Sequence, residues 1–292
     1  MHEFSLDYLR CVKCHSKLEV EILREEVQID EGFLFCTKCS LIFPVIGKIP
    51  ILWDDFNSYL SNRPRLGGEL FLKARTQKMK SFVKKSLGKI TKNLTDVSII
   101  EKRWSSIYQL NKKSRFYSKI KGLLEETATP KTVLEHGCSI GHITQHLAKT
   151  STLAFGIDKS YHAISIAKQT RLQNLDFIVA DSLEQPFGKT RFDLVVGLNL
   201  FEIIEPKPLL KLLASQVRKN GFLAISDPYD FERGAKSVKE PLTENSIRDE
   251  ILKHGFSISR ETKKPSFVLW NLHLHSRASL HYKVDLIVAK KQ

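Results

Sequence analysis

No apolar run in this 292-residue chain reaches the roughly 18 residues that a membrane helix needs, so no membrane segment is predicted. The opening residues, Met1-His2-Glu3-Phe4-Ser5-Leu6-Asp7, lack the basic head and apolar core of a secretory signal. Together these absences lead us to expect a soluble, cytoplasmic protein. Cysteine is scarce, with 5 residues, and a cytosolic chain is not expected to pair them as disulfides. The Gly-x-Gly-x-x-Gly spacing of a dinucleotide-binding loop is also missing, which makes a nicotinamide-dependent reductase a poor reading.

Acidic side chains are nearly lacking from one stretch. Residues 63–121 hold 17 basic and 3 acidic side chains, whereas residues 1–62 hold 6 and 10. That middle stretch alone matches the whole formal excess of +14, so an anionic partner is to be sought there. The length suits one α/β domain of roughly 150–200 residues plus something smaller. The patterns below divide the chain into 1–55, 56–125 and 126–292.

The rest is organised around Val133-Leu134-Glu135-His136-Gly137-Cys138-Ser139-Ile140-Gly141-His142. An apolar strand ends in an acid, a loop with two glycines follows, and Ile143 to Lys149 then reads as a helix. Glycine lets the backbone approach a ligand closely. A carboxylate before the first glycine would oppose a phosphate but favour a ligand carrying an ammonium and a sulfonium. Thr152 to Asp158 and Leu175 to Asp181 read as two further strands, each ending in an acid 23 residues after the one before. Phe192 to Leu198 reads as a fourth strand and leads into Asn199.

These four elements resemble the class I S-adenosylmethionine-dependent methyltransferases, whose first motif reads acid-x-Gly-x-Gly-x-Gly, with Ser139 replacing the middle glycine here. The resemblance covers about residues 130–292. It implies a Rossmann-like α/β fold: a seven-stranded sheet with helices on both faces, its last strand inserted antiparallel. It also implies S-adenosylmethionine as cofactor, bound by Glu135, Gly137, Cys138, Ser139, Gly141, Asp158, Lys159, Asp181, Ser182 and Asn199. In the family the second and third acids hold the ribose hydroxyls and the adenine amino group. Phe222 to Ser226, Phe256 to Ser259 and Tyr282 to Ala289 would complete the sheet. Pro206 to Arg218 would be a helix stopped by Asn220-Gly221.

Four of the cysteines form two Cys-x-x-Cys knuckles, Cys11/Cys14 and Cys36/Cys39, which can close one tetrahedral zinc site. Four thiolates leave no open position, so the zinc would be structural. Alternation at Leu18, Val20 and Ile22, a turn at Glu31-Gly32 and the run Phe33-Leu34-Phe35 give a small β zinc ribbon. Its ending, Phe43-Pro44-Val45 through Gly47-Lys48-Ile49-Pro50-Ile51-Leu52, resembles the small zinc-ribbon subunit that activates several tRNA, rRNA and release-factor methyltransferases.

Asn57 to Pro64 reads as a linker. Beyond it Met79, Phe82, Val83, Leu87, Ile90 and Leu94 keep helical spacing, with Lys78, Lys80, Lys84, Lys85, Lys89 and Lys92 on much of the remainder. Two further helical runs, around Trp104-Tyr108 and Phe116-Tyr117, complete a basic helical connector or lid. Its lysines could lie on RNA phosphates and its aromatics on bases, or the aromatics could pack inward.

Methyl transfer is an in-line displacement that depends mainly on placement. Catalytic candidates are Asn199, Glu202, Asp227 and Tyr229. The sequence Asn199-Leu200-Phe201-Glu202 departs from the Asn-Pro-Pro-aromatic motif of the amine-methylating branch. No cysteine beyond the two knuckles and Cys138 remains for covalent pyrimidine-C5 chemistry. His142 and His146 have metal-pair spacing without an evident third ligand. The expected substrate is RNA or part of the translation machinery. A small metabolite, hinted at by a faint resemblance of the tail from Pro265 to Tyr282 to mercaptohistidine methyltransferases, and a non-catalytic cofactor-fold module are the alternatives.

Overall fold

Parallel strands buried on both faces need near-continuous apolar runs, and that is how most of the strand residues between 132 and 227 read. The structure, a computed structural model, describes residues 1–90, 95–127, 129–231 and 238–292; Lys92 and Leu94 of the predicted connector helix lie outside the described residues. In chain order the strands are β1 (Glu19–Glu25), β2 (Ile29–Cys36), β3 (Leu41–Ile46), β4 (Ile49–Leu52), β5 (Thr132–His136), β6 (Leu153–Asp158), β7 (Leu175–Ala180), β8 (Phe192–Leu198), β9 (Val217–Asp227), β10 (Phe256–Ile258), β11 (Val268–His275) and β12 (Ala278–Lys291). The chain forms two units. One comprises Met1–Ser106, Ser139–Gly141 and Ile157–Thr190, the other Ile107–Cys138, His142–Gly156 and Arg191–Gln292.

In the first unit β1 to β4 make an antiparallel meander. β4 then pairs in parallel with β7, Ile51 opposite Val179 and Leu52 opposite Ala180. Every residue of both strands is buried, as two-sided packing requires. The turn expected at Glu31-Gly32 is strand interior instead, and the reversal falls at residues 26–28. Gly32 is needed for close approach to β1, since a Cβ there would sit 2.6 Å from the Glu21 carbonyl oxygen. Glu31 is buried and accepts from the Arg75 amide, the Thr76 amide (2.8 Å) and the Thr76 hydroxyl (2.7 Å). It thereby satisfies amides at the entry to helix Gln77–Leu87. That helix buries Met79 and Val83 and sets Phe82 against Phe33 (4.9 Å) and Phe56 (5.5 Å), while Lys84 and Lys85 stay exposed.

The predicted linker is helical, as Phe56–Ser61 and Pro64–Lys73. Its Asn and Ser content suggested a loop, but Asp55 caps the first helix through the Asn57 amide and Pro64 opens the second.

In the second unit the strand order is β5-β8-β9-β12-β10, with β11 paired to β12. The pairings β5–β8 and β8–β9 are parallel, and β12 is antiparallel to β9, β10 and β11. Asn220-Gly221 lies inside β9, beside a register shift against β8, and helix Pro206–Gln216 ends before it. β11 was not predicted. Its Trp270 and Leu272 face inward while Asn271, His273 and His275 face outward, the period-2 alternation of a half-buried strand. Trp270 gathers Phe116 (5.0 Å), Tyr108 (6.1 Å), Tyr117 (6.4 Å) and Tyr282 (6.0 Å). The candidate stacking residues Tyr108, Phe116 and Tyr117 therefore pack against this indole, and Trp104 is half-buried.

Among the described residues no helix is long and apolar enough to cross a membrane.

Candidate active site and cysteine cluster

Six of the predicted cofactor residues fall in the first unit: Ser139, Gly141, Asp158, Lys159, Asp181 and Ser182. Ser139 takes φ +49, so the serine adopts the left-handed conformation usual for glycine, at a cost of about 1–3 kcal/mol. Its amide donates to Asp158 Oδ2 at 2.9 Å, and the Ser160 amide to Oδ1 at 2.8 Å. Gly141 takes φ +70, and a Cβ there would lie 2.4 Å from Phe177 Cζ. Burial raises the Asp158 carboxyl above its ordinary range, against the pull of those amides. Each of its oxygens keeps lone-pair capacity to accept a hydroxyl. Asp181 accepts from the Leu183 amide (2.9 Å) and pairs with Lys159 (3.0 Å), opening the short turn that holds buried Ser182.

Three neighbours of these acids were not foreseen. The Tyr59 hydroxyl donates to the Lys159 carbonyl at 2.9 Å. The Arg63 guanidinium lies 4.2 Å from the Tyr59 ring centre and is gripped by Glu101 at 2.6–3.2 Å. Only Pro64, a helix-start signal at the end of the supposed linker, could have drawn attention to them.

The remaining predicted cofactor residues, Glu135, Gly137, Cys138 and Asn199, belong to the second unit. Glu135 is 3% exposed and accepts from the Thr144 hydroxyl. Gly137 takes φ +60, and Leu200 would lie 2.4 Å from any Cβ there. Cys138 is buried. Asn199 takes φ +55 after β8 and is tied to Ser226 twice: its amide donates to the Ser226 carbonyl (2.7 Å), and its Oδ1 accepts from the Ser226 hydroxyl (2.8 Å).

Two catalytic candidates are committed to holding the backbone and the core. Asp227 accepts the Phe201 amide on one oxygen and the Tyr229 amide on the other, both at 2.8 Å. The Tyr229 hydroxyl donates to Asp285 at 3.0 Å, and buried Arg248 holds the same carboxylate at 2.6 and 3.0 Å. Burial and Asp285 push the Tyr229 phenol well up, so it stays a donor at neutral pH. Glu202 is buried. His142 and His146 do not share a ligand position. The first sits 2.8 Å from Lys121, with burial and that charge lowering it to about 4, while the second pairs with Glu125 at 2.9 Å.

The four knuckle sulfurs, from Cys11, Cys14, Cys36 and Cys39, lie within 4.8 Å of one another. His15 and Ser40, each just after a knuckle, take φ near +55, the local backbone reversal that folds both cysteine pairs inward. Four thiolates on one zinc would stand about 3.8 Å apart, so the cluster fits such an ion.

Residues 129–266 match a family model described as a methyltransferase domain. The match covers a little under half of the chain. Among curated proteins no sequence matches. Of the solved structures, a complex of the Haloferax volcanii Trm112 methyltransferase activator with a candidate methyltransferase is 15% identical, covers 65% of this chain and 96% of that one, and gives a TM-score of 0.51. TehB from Haemophilus influenzae is 12% identical, with 65% and 67% coverage and a TM-score of 0.50. Magnesium protoporphyrin IX methyltransferase from Synechocystis PCC 6803, solved with bound S-adenosylmethionine, is 18% identical, with 69% and 100% coverage and a TM-score of 0.49. The first two share their fold with this chain.

Proposed function

We propose that the chain is an S-adenosylmethionine-dependent methyltransferase acting on RNA or another part of the translation machinery, with structural zinc in its N-terminal meander. The observation that carries the reading is the recurrence of a carboxylate at the ends of β5, β6 and β7, together with a loop bent by three left-handed residues, Gly137, Ser139 and Gly141. In this reading Glu135 holds the ammonium end of the donor, Asp158 the ribose hydroxyls, and Asp181 with Lys159 and Ser182 the adenine end. Backbone from Gly137 to Gly141, with Cys138 among it, lines the donor, and Asn199 stands at the methyl end. S-adenosylmethionine would supply a methyl group on a positively charged sulfur.

The chain's own work is placement of the acceptor on the methyl–sulfur axis. A base is needed only where the acceptor must first lose a proton. With Asp227 and Tyr229 committed to the backbone and to Asp285, Glu202 is the candidate for that task.

The basic stretch and the exposed Lys84, Lys85 and Lys89 support an RNA partner through phosphate contacts. The four-cysteine meander, fused to the same chain, parallels the separate activator in the Haloferax complex. One observation favours a small-metabolite substrate instead: Tyr108, Phe116 and Tyr117 are spent on Trp270 and are not offered to bases.

Incubating the purified protein with radiolabelled S-adenosylmethionine and fractionated cell extract tests the reading. Label in the RNA or ribosomal fraction is the expected result. Label only among small molecules selects the second substrate class, and label in no fraction overturns the enzyme.

A further inference from the structure

In open parallel sheets, ligands bind outside the carboxyl ends of the strands. The parallel register of β4 on β7 brings the N-terminal meander to that edge. Leu52 is opposite Ala180, so the next residues along the two strands are Trp53 and Asp181. Trp53 is half-buried, with its ring 5.0 Å from Tyr59 at 49° and 5.8 Å from the Arg63 guanidinium. Tyr59 bonds the Lys159 carbonyl, and the Arg63 charge acts on the Asp158 carboxyl. Trp53, Tyr59 and Arg63 thus border the pair of acids assigned above to the donor's nucleoside.

We propose that Trp53 forms a wall of the adenosine-binding site, so that the N-terminal meander takes part in recognising the donor. This rests on the methyl-donor reading and adds a residue outside the methyltransferase-domain match. The surroundings specify the ligand class. A partly exposed indole offers a flat face to a purine. Asp54, Asp181 and Glu184 crowd together, and burial with the other two charges pushes the Glu184 carboxyl up to about 7. Arg63 is already neutralised by Glu101, and Lys159 by Asp181. With both of these cations already paired, the acids beside them suit a nucleoside carrying no phosphate and disfavour a nucleotide.

The test titrates the zinc-loaded full chain calorimetrically with S-adenosylmethionine and with 5′-methylthioadenosine, which lacks the amino-acid end. Trp53→Ala should weaken both by about 5- to 100-fold, and Trp53→Phe should recover most of the loss. Incorporated 5-fluorotryptophan gives a second readout in the unmutated chain. With three tryptophans, the resonance assigned to Trp53 should shift on adding 5′-methylthioadenosine and not on adding methionine. Unchanged affinity in Trp53→Ala, or an unmoved Trp53 resonance while the ligand binds, overturns this proposal and leaves the donor reading standing. If the unmutated chain binds neither ligand, both fall together.

Discussion

The N-terminal meander and the C-terminal hairpin of β11 and β12 are both small antiparallel additions, and they are held by different physics. In the meander four thiols converge and buried carboxylates fix backbone amides: Glu31 takes those of Arg75 and Thr76, and Asp176 takes that of His2. In the hairpin an indole with 4% exposure collects four aromatic rings, and Asn111 exchanges two hydrogen bonds with the His273 backbone. A region held by directed bonds should lose about the worth of each partner removed, and most where the zinc proposed above is lost. A region held by contact area should lose stability in proportion to volume.

The largest effect should separate the two by chelation. Stripping zinc, or Cys36→Ser, should remove on the order of 10 kcal/mol of apparent stability from the meander. Hydrogen exchange should then show the meander unprotected while β11 and β12 keep their protection. Equal loss in both would erase the distinction.

Trp270→Ala should cost about 3–5 kcal/mol by denaturant unfolding, with Trp270→Phe recovering part of it and neither depending on metal.

Acid should act in sequence on the two regions. His142, against which Tyr117 packs at 5.0 Å, is lowered to about 4 by burial and by Lys121. Its neutral form is the one the fold favours, so support for the hairpin side declines as pH falls from 6.5 toward 4. Burial opposes the charge on Asp176, but the buried Lys168 ammonium, 2.5 Å away, prevails and holds its carboxyl at about 2. That contribution, about 2 kcal/mol, is complete above the ordinary carboxylate value near 4 and is lost as pH falls toward 2. Amide chemical shifts followed through an acid titration should move first around His142 and later at Ser5 and Phe177, which donate to Asp176. The reverse order would contradict the assignment.

The smallest effect is expected from Glu31→Ala, which removes the acceptor at the entry of helix Gln77–Leu87 and should cost about 1–2 kcal/mol.

The same contrast explains what could be read from sequence. Cysteine spacing and acid-ended strands are local signals, and the four sulfurs and the ends of β5, β6 and β7 lie where those signals put them. The apolar/polar alternation of β11 is a local signal, but the meeting of Trp270 with helices more than 140 residues earlier is not. Residues 57–64 misled through Asn and Ser, although Asp55 and Pro64 hold ordinary helix-start positions. That β9 ends at Asp227 is legible in the sequence, and what Asp227 and Tyr229 bond to is not. Their amide and Asp285 partners are tertiary facts. The parallel seat of β4 on β7, which sets Trp53 beside Asp181 in register, had no local signal at all.

The most direct measurement is calorimetric titration of the unmutated chain and of Asp158→Ala with S-adenosylmethionine. The account predicts saturable one-to-one binding that the substitution weakens by about 10- to 100-fold, the worth of hydrogen bonds to a charged group. Binding that ignores the loss of this carboxylate, or no heat of binding in the unmutated chain, would contradict it.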